Sequence, residues 1–360
     1  MKIFVLIPVV LVYLLSWLTA MTYLFGFGLG NHILLPHILA LIFSGITIFS
    51  FISGRLIRGK KIEGLYRFMN IAFGIAFYLF LGAVLLSLIF ALTNIQPINA
   101  TLVIGSLALL FGIYGLLEAR TIAITEYEVA LPGAPDSWHN KKALFISDTH
   151  FGLMNHKHFS NKLVQKILNL APDFVIHGGD FYDGPEIPLE PITESWKELT
   201  KTMPVFYTSG NHEHYGNYDA FIASIKAAGI TTLLNEHILY DGVQIGGITY
   251  LSKDKKEEAK ALIEKLNLRP EIPSILINHP PTFHQVAEGV KVNVMLSGHT
   301  HRGQFSPIEL ITWLIYGKFN YGMHTVGEMV AITSKGVGTA GPPLRLFNKP
   351  ELVMIQFLKR

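Results

Sequence analysis

Two long stretches without charged side chains dominate the first third of the chain. No Asp, Glu, Lys or Arg occurs at residues 3–54 or 68–117. Each stretch is at least twice the ~20 residues that one helix needs to cross a bilayer. Clusters of Gly, Pro and Asn near their middles, at 26–32 and 93–99, are typical of turns. The pattern therefore predicts two helical hairpins, with spans at 3–25, 33–53, 68–92 and 100–118.

The loop between the two predicted hairpins sets the expected orientation. It carries five positive charges, at Arg55, Arg58, Lys60, Lys61 and Arg67, whereas the two turns carry none. Basic loops remain on the cytoplasmic side of membranes, and an even number of spans brings both chain ends to that side. We therefore expect a multi-pass integral membrane protein whose C-terminal domain is cytoplasmic.

The membrane part is expected to serve as an anchor or to present lipids. Transport pathways usually need ionisable groups at depth, and the predicted spans contain only His32 and His37, each near the start of a span. This favours interfacial positions for both histidines over a proton relay. A transporter with a regulatory metal domain remains a less favoured alternative.

Residues 121–360 have a different composition and a different pattern. They carry 22 Lys and Arg against 24 Asp and Glu, so a basic surface for nucleic acid is not expected. The chain has no cysteine, which excludes disulfides and thiolate metal ligands. Short apolar runs alternate with amphipathic segments, which predicts a layered α/β domain. Strands are predicted at 121–131, 143–147, 174–176, 205–208, 245–251, 275–277, 294–296, 329–333 and 352–357, and helices at 158–170, 192–203, 218–228 and 255–266.

Polar clusters follow five of these strands. Ligands in open α/β sheets collect beyond the carboxyl ends of strands, so the five loops are expected to converge on one crevice. Carboxylate, imidazole and amide groups without thiolate suit Mn²⁺, Fe or Zn²⁺, and seven such groups favour a bridged pair of ions over a single ion. The clusters are Ser147-Asp148-Thr149-His150, Gly178-Gly179-Asp180, Gly210-Asn211-His212-Glu213, Asn278-His279 and Gly298-His299-Thr300-His301.

In the order in which they occur along the chain, the five clusters resemble the signature blocks of the calcineurin-like metallophosphoesterases. They read Asp148-x-His150, Gly179-Asp180, Gly210-Asn211-His212-Glu213, His279 and Gly298-His299-x-His301. The resemblance covers about residues 120–360 and includes a glycine-rich closing segment at 336–345. It implies a layered α/β fold, with a central β-sandwich flanked by helices, for residues 121–360. An all-α transmembrane domain of four helices, residues 1–120, would precede it.

The resemblance also implies roles for individual residues. One metal would be held by Asp148, His150 and His301, and the other by Asn211, His279 and His299. Asp180 would bridge the two divalent ions, of which Mn²⁺ is favoured over Fe or Zn²⁺. A hydroxide between the metals would attack phosphorus, and His212 would contact the phosphate and assist the leaving group.

Residues beside the metal clusters have less specific predictions. Glu213 is expected to orient His212 rather than to act as an acid itself. For Asp183, His177 and His214, hydrogen bonding or packing is favoured over a direct part in the chemistry.

Two features bear on the substrate. One is the membrane domain, and the other is the apolar segment 305–323, which is too short to cross a bilayer. This segment either lies at the membrane interface and guides a lipid, or is an ordinary helix packed on the core. Together they favour a lipid-linked phosphoester or pyrophosphate as the substrate, with membrane lipids as partners. The resemblance to the family adds a concrete candidate, UDP-2,3-diacylglucosamine in lipid A synthesis, because a membrane-bound member of the family cleaves the pyrophosphate of this lipid. The alternatives are a soluble nucleotide-type phosphodiester, or a non-catalytic scaffold or receptor.

Overall fold

The computed structural model describes residues 2–56, 60–184 and 187–359. Their contacts divide the chain into two compact units. The first comprises the residues up to Ala119 together with Gly341–Leu346, and the second comprises the other residues from Arg120 on. The end of the glycine-rich closing segment thus belongs to the helical unit, where the backbone N–H of Arg345 donates to the carbonyl of Gly115 at 3.0 Å.

The helical unit breaks where Gly, Pro and Asn cluster in the sequence. The connections between helices coincide with both predicted turns. Pro97 is the first residue of the fourth helix, where its missing backbone N–H costs no hydrogen bond. Large apolar side chains such as Leu18, Leu88 and Leu110 point outward, as expected of helices in lipid. The helices are α1 (Lys2–Gly26), α2 (Leu34–Leu56), α3 (Lys60–Leu92) and α4 (Pro97–Glu118).

Among the described residues, three helical stretches are long and apolar enough to cross a membrane. They are Val9–Gly26, Glu63–Leu92 and Pro97–Glu118, while Leu34–Phe49 of α2 is apolar but shorter. The basic loop that predicts the orientation includes Arg58, which lies outside the described residues. The four-span count and the cytoplasmic orientation therefore stay predictions.

In the described residues of the second unit, the strands form two six-stranded mixed sheets. In the first sheet the spatial order of strands is β1, β12, β2, β3, β4, β5, and in the second it is β10, β11, β9, β8, β7, β6. The first sheet consists of β1 (Ala123–Ala130), β2 (Lys142–Ile146), β3 (Phe174–His177), β4 (Val205–Tyr207), β5 (Thr231–Thr232) and β12 (Glu351–Leu358). The second consists of β6 (Glu236–Tyr240), β7 (Val243–Ile248), β8 (Ser274–Asn278), β9 (Val294–Ser297), β10 (Gly322–Val326) and β11 (Met329–Thr333).

Three apolar layers hold this unit together. Between the sheets, Phe145 and Phe174 of the first sheet share a core with Ile245 and Ile275 of the second. The outer face of the first sheet packs on α5 (Lys157–Leu170), α6 (Glu190–Thr200) and α7 (Tyr218–Ala227). The outer face of the second packs on α8 (Lys256–Lys265) and α9 (His284–Gly289). The predicted layered α/β fold with a central β-sandwich is confirmed.

The elements that the sequence pattern missed are short or lie at sheet edges. β5 has two residues, and β6 and β10 are edge strands with partly exposed side chains, so their apolar runs are interrupted. The apolar segment 305–323 forms α10 (Glu309–Tyr316), a short turn, and the start of β10. No residue of α10 is buried, so it is not an ordinary core helix.

Candidate metal centre

Every predicted ligand follows the carboxyl end of a strand. Asp148 and His150 follow β2, Asp180 follows β3, and Asn211 follows β4 of the first sheet. The remaining three come from the second sheet, since His279 follows β8 and both His299 and His301 follow β9. The packing of the two sheets brings these loops together at one edge of the sandwich, as the strand pattern predicts.

One group of potential ligands comprises Asp148, His150 and His301. Their ligand atoms lie within 4.8 Å of one another, and all three residues are buried. The Nε2 atoms of His150 and His301 are 2.9 Å apart, and His301 Nε2 is 3.5 Å from Asp148 Oδ1. Burial raises the pKa of Asp148, and its neighbour Asp180 raises it further, whereas positive charge on His279 opposes the rise. A cation at this position would relieve the repulsion.

A second group comprises Asp180, His279 and His299, whose ligand atoms again lie within 4.8 Å of one another. His279 Nε2 is 3.1 Å from Asp180 Oδ2, and His299 Nδ1 is 2.8 Å from Asn211 Oδ1. Asp180 is also grouped with His150, whose Nε2 is 3.8 Å from Asp180 Oδ2. Asp180 therefore faces ligands of both groups, and Asp148 Oδ1 also lies 3.9 Å from His279 Nε2.

The orientation of the His279 ring fits a metal ligand. Its Nδ1 donates to the carbonyl of Gly178 at 2.7 Å, which leaves the lone pair of Nε2 directed at the Asp180 carboxylate. Two acceptors this close need a proton or a metal ion between them. Burial lowers the pKa of His279, but Asp180 and then Asp148 outweigh it and raise the pKa to about 9. The same negative charges would favour a divalent cation in place of the proton.

Backbone strain is concentrated at these loops. Non-glycine residues rarely adopt positive φ, and such strain persists mainly at functional sites. Gly298 directly precedes the ligand His299 and faces the loop after β2. It has no room for a side chain, because a Cβ there would lie 1.8 Å from Ser147 Oγ. The ligands with positive φ are Asp148 (58°), His150 (45°), Asp180 (53°), His299 (72°) and His301 (48°).

His212 lies beside the metal ligands and is partly exposed. Its backbone N–H donates to Asp180 Oδ1 at 2.8 Å, and its Nδ1 is 3.1 Å from the carbonyl of Asp183. Burial lowers its pKa, but the charges of Asp180 and then Asp183 outweigh burial and raise the pKa to about 10. The imidazole is therefore protonated at neutral pH and can donate a proton or hydrogen bond into the site.

Asp183 hydrogen-bonds two histidines, in line with the hydrogen bonding predicted for it. Its Oδ1 lies 3.2 Å from His150 Nδ1 and 3.2 Å from His212 Nδ1. One buried carboxylate thus orients a predicted metal ligand and the predicted catalytic histidine together. Only its place three residues after Asp180 hints at this role in the sequence.

Glu213 has a different task from the predicted one. Its Oε2 accepts from the backbone N–H groups of Gly210 at 2.7 Å and Asp180 at 3.1 Å, and its Oε1 accepts from Tyr182 at 3.0 Å. It therefore joins the loops after β3 and β4 and does not orient His212 directly. Its carboxylate holds the ligand-bearing loops at a fixed distance from each other.

The other two neighbouring histidines have structural contacts. His177 is buried below the site, where its Nδ1 accepts from Gly179 N at 3.3 Å and its Nε2 lies 3.1 Å from Thr149 Oγ1. Burial lowers the pKa of His177 to about 3, so the ring is neutral. His214 stacks on Tyr218 with ring centroids 4.6 Å apart. Hydrogen bonding and packing account for both.

Three tyrosines lie close to histidines of the centre. The Tyr215 ring is 4.8 Å from that of His212, measured between centroids. Tyr250 and Tyr316 approach His299 with centroid distances of 6.0 and 5.9 Å. Aromatic rings of this kind add apolar surface beside the candidate metal ligands.

Comparison with known proteins places these features in a family. Residues 141–303 match the sequence model of the calcineurin-like phosphoesterases. An uncharacterised metallophosphoesterase of Campylobacter jejuni is 28% identical over 66% of this chain and 63% of its own length. The protein YpbG of Bacillus subtilis is 32% identical over 58% of this chain and 77% of its own.

A vertebrate relative shares the combination of membrane helices and this domain by name. It is the transmembrane protein with metallophosphoesterase domain of Danio rerio, 27% identical over 72% of this chain and 62% of its own length. The chain spans less than two thirds of the length of this relative and of the Campylobacter jejuni protein.

Proposed function

Because the chain belongs to the calcineurin-like phosphoesterase family, we propose that it hydrolyses a phosphoric ester or pyrophosphate with two divalent metal ions. The observation that supports this most is the position of Asp180, which faces His279 at 3.1 Å and His150 at 3.8 Å. A carboxylate shared by two ligand groups is the arrangement that a two-metal centre needs. The residues that would hold the ions are Asp148, His150, Asp180, Asn211, His279, His299 and His301.

The donor set suits hard or borderline divalent ions. Oxygen and imidazole donors without thiolate favour Mn²⁺, with Fe and Zn²⁺ as alternatives. When bound, the ions would supply Lewis-acid stabilisation of the phosphate oxygens. The neutral amide of Asn211 adds a donor without adding negative charge, which keeps the site attractive to an anionic phosphate.

His212 would act from the side of the leaving group. Its raised pKa of about 10 keeps it protonated, and Asp183 holds Nδ1, so Nε2 is left for the substrate. From this position the ring donates a hydrogen bond to the phosphate and then a proton to the departing oxygen. Asp183 would orient the ring without touching the substrate.

The substrate that fits best is lipid-linked. Membrane-length helices precede the catalytic domain of residues 121–360, so a substrate that resides in the bilayer remains within its reach. A pyrophosphate-linked lipid such as UDP-2,3-diacylglucosamine combines the hydrolysable group with acyl chains. We place the catalytic domain on the cytoplasmic side, after a membrane domain of four spans in residues 1–120.

The test compares a lipid with a soluble substrate. The full-length chain is purified in detergent, loaded with Mn²⁺, and assayed with UDP-2,3-diacylglucosamine and with a soluble aryl phosphodiester. We expect faster turnover of the lipid, reduced about 100-fold or more in N211A. The matched control is N161A, which changes an exposed asparagine of α5.

Each outcome of this assay decides a separate part of the proposal. Turnover of the soluble diester alone would retain the metal chemistry and overturn the lipid substrate. Unchanged activity in N211A would overturn the site. No hydrolysis of either compound by the metal-loaded wild type would count against a catalytic role and favour a scaffold.

A further inference from the structure

One short helix beside the metal centre exposes much of its apolar surface. α10 has no buried residue, although every residue in it except Glu309 and Thr312 is apolar or aromatic. Contiguous apolar patches of this kind mark surfaces that another apolar phase covers. The most exposed side chains are Leu310 (60%), Ile311 (53%), Trp313 (58%), Leu314 (76%) and Ile315 (45%).

The helix is held firmly at its start by the loop that carries His301. Gly303, with φ +76°, approaches so closely that a Cβ there would lie 2.2 Å from the backbone nitrogen of Glu309. Thr300, in the same loop, donates its hydroxyl to the carbonyl of Asn320 at 2.7 Å, beyond the end of the helix. Both ends of α10 are therefore tied to the loop that bears the predicted ligand.

A second contact fixes the turn after the helix. Phe319 stacks on the buried ring of His284 with centroids 3.9 Å apart, and Lys318 Nζ lies 5.1 Å from the Phe319 ring. The exposure of α10 is thus a property of a well-anchored element and not of a loosely packed tail.

The chemistry of the helix and its ends matches the surface of a lipid bilayer. The described residues include three helices of membrane-crossing length, which would tether this domain to a bilayer. Trp313 and Tyr316 are residues that membrane interfaces favour, and Lys318, which follows the helix, is an exposed cation of the kind that anionic headgroups attract. Glu309, the one acidic residue of the helix, accepts a hydrogen bond through its Oε1 from the Ser306 hydroxyl at 2.5 Å. At eight residues the helix is ~12 Å long, which is too short to span but sufficient to lie in the interface.

We propose that α10 lies in the surface of the bilayer. We also propose that Tyr316, which links the helix to the metal centre, holds the centre so that it faces the lipid headgroups. Tyr316 is the last residue of the helix, and the centroid of its ring is 5.9 Å from that of the predicted ligand His299. A phosphate at headgroup level would then reach the centre without the lipid leaving the membrane. The docking of α10 stands by itself, whereas the access of a lipid phosphate rests on the proposed function.

Because the chain contains no cysteine, a single introduced thiol reports on one position without background. L314C is labelled with a polarity-sensitive fluorophore in the full-length protein, in nanodiscs of equal amounts of phosphatidylethanolamine and phosphatidylglycerol. K260C, at an exposed position of α8, is the matched control. We expect the label at 314 to shift to the blue and to be quenched by nitroxide-labelled lipids, and the label at 260 to respond only to iodide in solution.

Two results would overturn the docking. A label at 314 as accessible to iodide as the one at 260 would show that the helix stays in water. A label shielded from both quenchers would show that protein covers the helix, either a second copy or another chain. These readouts do not depend on catalysis, so they decide the docking even if no substrate is turned over.

A kinetic comparison tests the access of lipid to the centre. L314E should lower the ratio of lipid to soluble-diester turnover roughly tenfold, because a charge at this position disfavours insertion and misplaces the lipid phosphate. T312S, a conservative change in the same helix, should leave the ratio unchanged. An equal ratio in L314E and wild type would overturn the access of lipid through α10. If the wild type hydrolysed neither substrate, the proposed function would be overturned instead.

Discussion

The Nε2 atoms of His150 and His301 lie 2.9 Å apart although 151 residues separate them in the chain. One follows β2 of the first sheet and the other follows β9 of the second, so their meeting depends on how the two sheets pack. The lone pairs of two ring nitrogens this close repel each other unless a proton or a cation lies between them. This relationship ties the proposed metal centre to the sandwich as a whole.

Asp180 should be required for both metal ions. Its carboxylate faces both ligand groups, so D180N is expected to lower the metal content from about two ions per chain to less than about one. Mass-spectrometric metal analysis of the purified, Mn²⁺-loaded protein measures this directly. D254N, which changes an exposed aspartate, should keep the wild-type content. If D180N retained both ions, Asp180 would not be the shared ligand.

Asp183 should tune His212 without holding a metal. D183N is expected to reduce kcat about 100-fold while the metal content stays near that of the wild type. His212 must be protonated to act as an acid. Asp180 and then Asp183 raise its pKa to about 10, so removal of the Asp183 charge lowers that pKa. The alkaline limb of the pH–rate profile should therefore move to lower pH in D183N. An unmoved limb would leave Asp183 with a packing role only.

Glu213 should contribute mainly to stability. In E213Q an amide group faces backbone N–H donors of Tyr182 and Gly210, so at least one hydrogen bond is replaced by two opposed donors. We expect a loss of about 2 kcal/mol in the free energy of unfolding and a fall in Tm of roughly 5 °C. Differential scanning fluorimetry of the full-length protein measures the shift. E258Q on the surface of α8 should change Tm little, and an equal shift in both variants would contradict the assigned role.

Acidification should destabilise the protein partly through His284. Burial, assisted by the charges of His324 and Lys318, lowers the pKa of His284 from 6.5 to about 4. Below pH 6.5 the unfolded chain binds a proton that the folded protein accepts only near pH 4, so folded-state stability is full above 6.5 and falls as the pH drops. The complete difference amounts to up to ~3 kcal/mol.

A substitution that cannot titrate reveals the share of this residue. Between about pH 7 and about pH 5 the wild-type Tm should fall by roughly 5 °C more than that of H284Q. H158Q, at an exposed position of α5, should follow the wild type. Parallel pH dependences in wild type and H284Q would show that other groups cause the acid loss.

Much of the molecule follows from local properties of the chain. A bilayer demands long apolar helices whose backbone groups bond internally, so uncharged stretches and the Gly, Pro and Asn clusters between them predict where helices run and break. Strands buried on both faces require short apolar runs, as in β2, where Ala143, Leu144, Phe145 and Ile146 are all fully buried. Because polar clusters follow such strands, their convergence on one crevice could be predicted from residue type and position, whereas the set of seven candidate ligands was implied by the resemblance to the family.

What the tertiary structure alone decided concerns the direction of side chains and the partners they meet. Asp183 faces two histidines, Glu213 joins two loops, and α10 stays exposed, yet none of these follows from residue type. Edge strands such as β6 and β10 form because a neighbouring strand is present to pair with them. Apolar composition predicts that a segment will avoid water, but only packing determines whether the covering phase is its own core or something outside it.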